Sequence, residues 1–327
     1  MFPVHVVRCL ERLWDSGFQA YPVGGCVRDT LLGRVPGDWD VAASSRPEET
    51  MALFEKTVPT GLAHGTVTVV LEGGKVEVTT FRREGGYADG RHPDRVVFDV
   101  SLKDDLARRD FTVNAMAFGR KGEVIDPFGG RADLERGLLR AVGEPESRFG
   151  EDALRILRAA RFAAQLGFEI EPATAAAMET RKEGLAKVSA ERITAELEKT
   201  LLSPHPRWVG EFFRLGAMGR FGWETRQADW RSLDGLPALE EVRWRALCAM
   251  TGLEITALPV SRAIRRMVLR PNAGREKELA LTGGDLYALG LRGEEIGKVQ
   301  KRLLEHVLAY PEDNERERLL EIWKRKG

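Results

Sequence analysis

Two carboxylates one residue apart are the first groups in this chain whose spacing could do chemistry. In Gly37-Asp38-Trp39-Asp40-Val41, a strand would send Asp38 and Asp40 to one face and Trp39 and Val41 to the other, because residues i and i+2 of a strand share a face. Adjacent carboxylates repel unless a cation lies between them, and hard oxygen ligands of this kind suit Mg²⁺. A second alternating segment, Val76 to Phe81, puts Glu77 and Thr79 on a common face. If the two strands are neighbours, Glu77 could complete a two-metal cluster or accept a proton. Upstream, Gly24-Gly25-Cys26-Val27-Arg28-Asp29 follows a short apolar run. Its glycines permit close backbone approach, the helix opening behind them offers free N–H groups, and Arg28 could reach the same anion. Taken singly, each pattern has a plainer reading: a polar edge strand for the paired acids, a simple turn for Gly24-Gly25.

The elements that must position these groups divide the chain. Strand signals concentrate before about residue 140: Tyr21 to Val23, Asp38 to Ala42, Thr66 to Leu71, Val76 to Phe81 and Arg95 to Val100. Helical patterns lie among them at Val4 to Asp15, Cys26 to Leu32, Pro47 to Lys56 and Asp110 to Phe118. After about residue 145 the strand signals almost vanish. Helices are expected at Glu151 to Leu166, Ala173 to Arg181, Ala190 to Leu202, Arg207 to Leu215 and Leu239 to Met250, with a helical remainder. The layout is an α/β head followed by an all-α part.

Composition narrows the classes. The 327 residues are 43% hydrophobic, enough for two or three packed units. No apolar run approaches the roughly 18 residues of a membrane span, and the N-terminus lacks the pattern of a signal peptide. Cys9, Cys26 and Cys248 are far apart, and the five histidines form no close pair, so a zinc site is not expected. The thiols read as buried groups of a reducing cytoplasm. Net charge is zero, which by itself argues against a nucleic-acid partner. Yet Arg262, Arg265, Arg266, Arg270, Arg275 and Lys277 stand against the single acid Glu276. That stretch is either a phosphate-binding patch or a solvated helix face.

Taken in order, the motifs closely resemble those of class II tRNA nucleotidyltransferases, the CCA-adding enzymes, and of their bacterial poly(A) polymerase relatives. Gly-Gly-x-Val-Arg-Asp, Leu-Leu-Gly and Asp-x-Asp come first. Arg108-Arg109-Asp110-Phe111-Thr112-Val113-Asn114-Ala115 resembles the family's ribose-contacting segment. Asp126-Pro127-Phe128-Gly129-Gly130 resembles the link out of the head, and Glu151 to Phe162 the nucleotide-selecting helix. Ser189-Ala190-Glu191-Arg192-Ile193 and Gly283-Gly284-Asp285-Leu286 follow. The likeness covers nearly the whole chain, which is short for the family between about residues 205 and 280.

The resemblance implies an α+β fold: a DNA polymerase beta-like nucleotidyltransferase head over 1–140, a helical neck over 141–203, and a helical body and tail over 204–327. It implies addition of C and A from CTP and ATP to the 3′ end of tRNA, without a template. Asp38 and Asp40 would hold Mg²⁺, and Gly24, Gly25 and Arg28 would meet the triphosphate. Arg109, Asp110 and Asn114 would fix the ribose, and Asp152 and Arg155 would read the base edge. Successive steps of three turn around a helix by about 60°. Arg158 and Arg161 are therefore expected nearer phosphate or in structural ion pairs. Arg262, Arg265, Arg266 and Arg270 are the candidate RNA clamp. The loop from Arg82 to Pro93 argues for CCA or A addition over CC addition. The alternatives, in order, are an A-adding enzyme, a poly(A) polymerase and a small-molecule nucleotidyltransferase.

Overall fold

The computed structural model describes residues 2–62, 65–85, 95–98, 100–223, 228–252, 254–269, 279–310 and 313–325. Two compact units make up the chain, 1–238 and 239–327. The sequence division after residue 203 therefore differs from the structural one. The 3₁₀ turn Pro206–Val209 packs on the neck helices, so the start of the expected body belongs with the head and neck.

In the first unit, α1 (Val4–Asp15) leads to β1 (Ala20–Pro22), α2 (Gly25–Leu31), β2 (Asp40–Ala43) and α3 (Pro47–Leu53). Then come β3 (Thr57–Gly61), β4 (Thr66–Leu71) and β5 (Gly74–Thr80). The five strands form one mixed sheet in the order β1-β2-β5-β4-β3. Only the β2–β5 pair is parallel, with Asp40 opposite Glu77 and Ala42 opposite Thr79. Val6, Cys9, Leu10 and Leu13 make one buried stripe of α1 at helical spacing, which packs on β4 and β5. Ala42, two residues beyond Asp40 and so on its face, joins Val23, Phe81, Leu106, Ala115, Ala117 and Val142 in a core cluster. That core sets the level at which the acids emerge. Strand β3 had no sequence signal, because its central residues Val58, Pro59 and Thr60 are exposed on the sheet edge.

The pair β6 (Arg83–Gly85) and β7 (Arg95–Val97) follows, then α4 (Leu102–Ala107) with a Ser101/Asp104 capping box. The helix expected over Asp110 to Phe118 does not form. A single 3₁₀ turn spans Thr112–Asn114, and β8 (Ala117–Phe118) pairs with β9 (Val124–Ile125). Asp110 is the cause at the start: its carboxylate accepts the N–H of Phe111, a local bond that competes with helix. Next come α5 (Gly130–Arg136), β10 (Leu138–Leu139) and α6 (Pro145–Glu151).

The sequence predicts one helix from Glu151 to Leu166, but α7 covers only Leu154–Leu166. Asp152 is extended, with φ −146° and ψ 106°, and its Oδ1 accepts the Leu154 N–H at 3.0 Å. It thus ends one helix and starts the next. A two-residue β11 (Glu169–Ile170) pairs with β10, and α8 (Pro172–Arg181), α9 (Ala190–Leu201) and α10 (Gly210–Arg214) follow. Helices α7 and α9 pack together, and Ile156, Leu157, Ala160, Ile193 and Leu197 are buried along them.

The second unit holds α11 (Glu240–Thr251), α12 (Arg262–Leu269), α13 (Gly283–Ala288), α14 (Glu294–Ala309) and α15 (Arg316–Arg325). Leu286, Leu303, Leu304 and Leu319 are among the residues of its leucine core. No described helix is long and apolar enough to cross a membrane.

Candidate active site

The acids meet as the strand reading requires. Strand β2 begins at Asp40, with Asp38 just before it, exposed, while Trp39 and Val41 are buried on the other side. Glu77 is exposed on the parallel neighbour. Burial pushes the Asp40 carboxyl above its ordinary value; Arg109 opposes this, and Glu77 and Asp38 add to it. A divalent cation fits that donor set, since all its atoms are hard oxygens whose mutual repulsion it would relieve. Among the described residues, however, no three His, Cys, Asp or Glu side chains are grouped closely enough to hold a metal. Asp38 and Asp40 stand on one strand segment, with Glu77 on its parallel neighbour.

The glycine turn lies against this strand. Val23 N–H bonds to the Asp40 carbonyl and Gly24 N–H to that of Met116, so the turn is clasped between β2 and the segment entering β8. Gly24 has φ +78°, a conformation that costs other residues energy. A Cβ there would also lie 2.6 Å from the Arg109 guanidinium. Gly25 opens α2.

Arg28 departs from expectation. It is buried, and its guanidinium bonds to both Asp29 carboxylate oxygens and, at 2.6 Å, to Asn114 Oδ1. Asn114 Nδ2 in turn donates to Asp110 Oδ1 at 3.1 Å. Arg158 grips the other Asp110 oxygen with two bonds, of 2.8 and 2.5 Å. The result is a line from α2 through the 110–114 segment to α7. Burial works against the charge of Asp110, but Arg158 and the Asn114 hydrogen bond outweigh it and hold the carboxyl well below the ordinary range. Phe162 lies beneath Arg28, Arg158 and Arg161, with guanidinium carbons 5.3, 5.4 and 4.0 Å from its ring centre.

Of the four groups spaced by three, Arg155, Arg158 and Arg161 separate by the helical step of α7, while Asp152 stands before that helix. Arg161 pairs with Glu196 of α9 at 2.5 Å, and Arg158 with Asp110. Arg155 bonds to Glu151 and to the backbone carbonyls of Arg148 and Arg108. Asp152 is held by Arg192 at 2.7 Å. Arg192 was visible in a motif but had no role assigned. Phe162 closed a motif but had no role assigned, whereas Glu196 and Asp105, the buried partner of Arg109, carried no signal, because their partners are distant or their neighbourhood lacks a motif.

In the second unit, Arg262 and Arg266 of α12 are exposed, whereas Arg265 is half-buried and donates to the Leu258 carbonyl. Arg270, Arg275 and Lys277 lie outside the described residues, as does 86–94 of the loop after Arg82.

A mixed sheet presenting paired acids beside a double-glycine turn defines a nucleotidyltransferase head. The family model described as "Poly A polymerase head domain" matches residues 20–140. That described as "Probable RNA and SrmB- binding site of polymerase A" matches 167–218. The CCA-adding enzyme of Lactiplantibacillus plantarum is 54% identical over 197 residues, 60% of this chain and 48% of that protein. The CCA-adding enzyme of Geobacillus thermodenitrificans is 46% identical over 260 residues, 76% of this chain and 62% of that protein. The chain thus spans about half to three-fifths of the length of these curated relatives. Among solved structures, the Bacillus stearothermophilus CCA-adding enzyme in complex with CTP matches with a TM-score of 0.69 and 30% identity. That match covers 100% of this chain and 98% of the other. The chain belongs to the family of class II tRNA nucleotidyltransferases and bacterial poly(A) polymerases.

Proposed function

We propose that the protein adds C and A nucleotides, from CTP and ATP, to the 3′ end of tRNA without a template, releasing pyrophosphate. The observation that carries this reading is the anchoring of Arg155. Its guanidinium bonds to the carbonyl of Arg108, directly before the Arg109–Asn114 segment of the head. A side chain suited to reading a base edge is thereby tied to the groups that would hold the ribose and phosphates. Protein hydrogen bonds then do the work of a template, and a poorly matched base leaves buried polar groups unpaired. The relative solved with CTP supports a pyrimidine substrate at such a site.

Asp38 and Asp40 would hold Mg²⁺, which supplies charge stabilisation at the reacting phosphate. Arg109, against Gly24, meets the triphosphate. Asp110 and Asn114 orient the ribose, and Arg28 holds Asn114. Arg158 and Arg161 act from behind as ion-paired supports, while Asp152 and Arg155 face the base. The helical second unit, with Arg262 and Arg266, binds tRNA phosphates. With tRNA as substrate and three free thiols, the reaction belongs in the cytoplasm.

The test is incorporation of labelled CTP and ATP into tRNA lacking its last three nucleotides, lacking only the last, or complete. The expected result is C and A addition to the first and A alone to the second. A added only to the second substrate would make this an A-adding enzyme. Incorporation into none would overturn the reading.

A further inference from the structure

Asp105 is fully buried, near the end of α4 and outside every motif that the sequence offers. Its two oxygens serve three groups. Oδ1 accepts from Arg108 Nε at 3.0 Å and from the backbone N–H of Arg82 at 3.4 Å. Oδ2 accepts from Arg109 Nη2 at 3.2 Å. Burial alone would raise this carboxyl, but Arg108 and Arg109 more than compensate and keep it below the ordinary value.

The other side of Arg109 is lightly held. Its Nε is buried without a hydrogen-bond partner among the described residues, and its Nη1 has only a long contact, 3.5 Å, to the Asn114 carbonyl. The same Nη1 lies 2.6 Å from where a Cβ on Gly24 would be, and the guanidinium charge reaches Asp40. A half-buried cation with spare donors, fixed from one side and facing a side-chain-free turn, is arranged to receive an anion on the other. Asp105 also reaches the base-reading side, because Arg108, which it holds by the side chain, accepts Arg155 through its carbonyl.

We propose that Asp105 is a positioning residue that aims Arg109 at the triphosphate of the incoming nucleotide. It touches no substrate itself. The proposal rests on the nucleotidyltransferase reading above and gives that site a component buried beneath it. Without the carboxylate, Arg109 keeps its charge but loses the only charged group that bonds to it among the described residues. Triphosphate recognition then falls, although a positive charge is still present.

The test is binding of CTP, CMP and pyrophosphate to the full chain, with Asp105→Asn, Arg109→Ala and the double variant compared with the unaltered protein. Asp105→Asn keeps size and shape, and thermal melting establishes that it folds. CTP and pyrophosphate affinities are expected to fall about tenfold in Asp105→Asn, or ~1.4 kcal/mol, with CMP affinity changed less than twofold. In the Arg109→Ala background, Asp105→Asn should add no further loss, because the two act as one unit. Equal or tighter CTP binding by folded Asp105→Asn overturns the proposal, as does an equal loss for CMP or full additivity with Arg109→Ala. If Asp105→Asn does not fold, Arg109→Lys decides. It keeps the charge but not the fork that Asp105 grips, so unchanged CTP binding overturns the proposal and a tenfold loss supports it. An unaltered chain that binds neither CTP nor ATP would instead overturn the nucleotidyltransferase reading, and this inference with it.

Discussion

Asp110 shows what a buried charge requires of its neighbours. Its folded-state carboxyl is held below its ordinary value of 3.8, chiefly by Arg158 against the cost of burial. A group depressed on folding stabilises the protein above its unfolded pKa and loses that contribution as pH falls towards the folded one. Stability should therefore decline below about pH 4. Asp110→Asn should cost about 3 kcal/mol at pH 7, by analogy with breaking a buried pair, and should show a shallower decline in acid. Urea unfolding from pH 7 to pH 3 measures both effects, and parallel curves would count against this role for Asp110. Arg192 offers a second case. It occupies both oxygens of Asp152 and is partly exposed, so Arg192→Met should lower stability by only about 1 kcal/mol. Discrimination among the four nucleoside triphosphates should drop about tenfold, since the freed carboxylate no longer presents one geometry. Unchanged relative use of the four would separate Arg192 from base selection. Asp38, Asp40, Asp152 and Arg155 were legible in the sequence because each sits in a local pattern. Asp105, Glu196 and the committed state of Arg28 were not, since each depends on a partner that only folding brings near.

At the scale of elements, residue pattern located α1 and, through its Val and Thr content, β4 to the residue. It failed where a single polar side chain overrides it, at Asp110 and at Asp152, both of them candidate site residues. Short elements with almost no period of their own, such as β10 and β11, were also invisible. Close packing makes its own demand at Gly130, the first residue of α5. A Cβ there would lie 2.2 Å from the Thr112 carbonyl oxygen, a backbone atom with no rotamer to change. Gly130→Ala should therefore cost about 3 kcal/mol or more, at the upper end for overpacking. Because Thr112 also bonds to buried Asp133, the strain should reach the 110–114 segment proposed to orient the ribose and raise the KM for nucleotide. A melting temperature within 2 °C of the parent would show that the turn relaxes more easily than this (roughly 4–8 °C per kcal/mol in a small domain, less in a larger one).

Over the whole molecule, a net charge of zero conceals an exposed basic helix face. Arg262 and Arg266 have no ion pair among the described residues, whereas Arg265 is partly committed to the Leu258 carbonyl. Replacing Arg262 and Arg266 by Ala should weaken tRNA binding and flatten its dependence on log[salt] by up to about 0.9 for each phosphate no longer neutralised. The KM for CTP should hold steady, as the groups proposed to meet nucleotide all lie in the first unit. Fluorescence titration at several salt concentrations decides, and an unchanged slope would place the RNA surface elsewhere. The clasp of Asp110 by Arg158 and of Asp152 by Arg192 also has a consequence in time. Ribosomes extend a chain at about 5–20 residues per second. A nascent chain that has emerged only as far as the head carries Asp110 without its counter-ion, and Asp152, the carboxylate proposed to face the base, is not yet made. For several seconds its sheet can form around the paired acids while the pocket for a nucleotide remains unfinished, so truncated translation products should be poor consumers of cellular triphosphates.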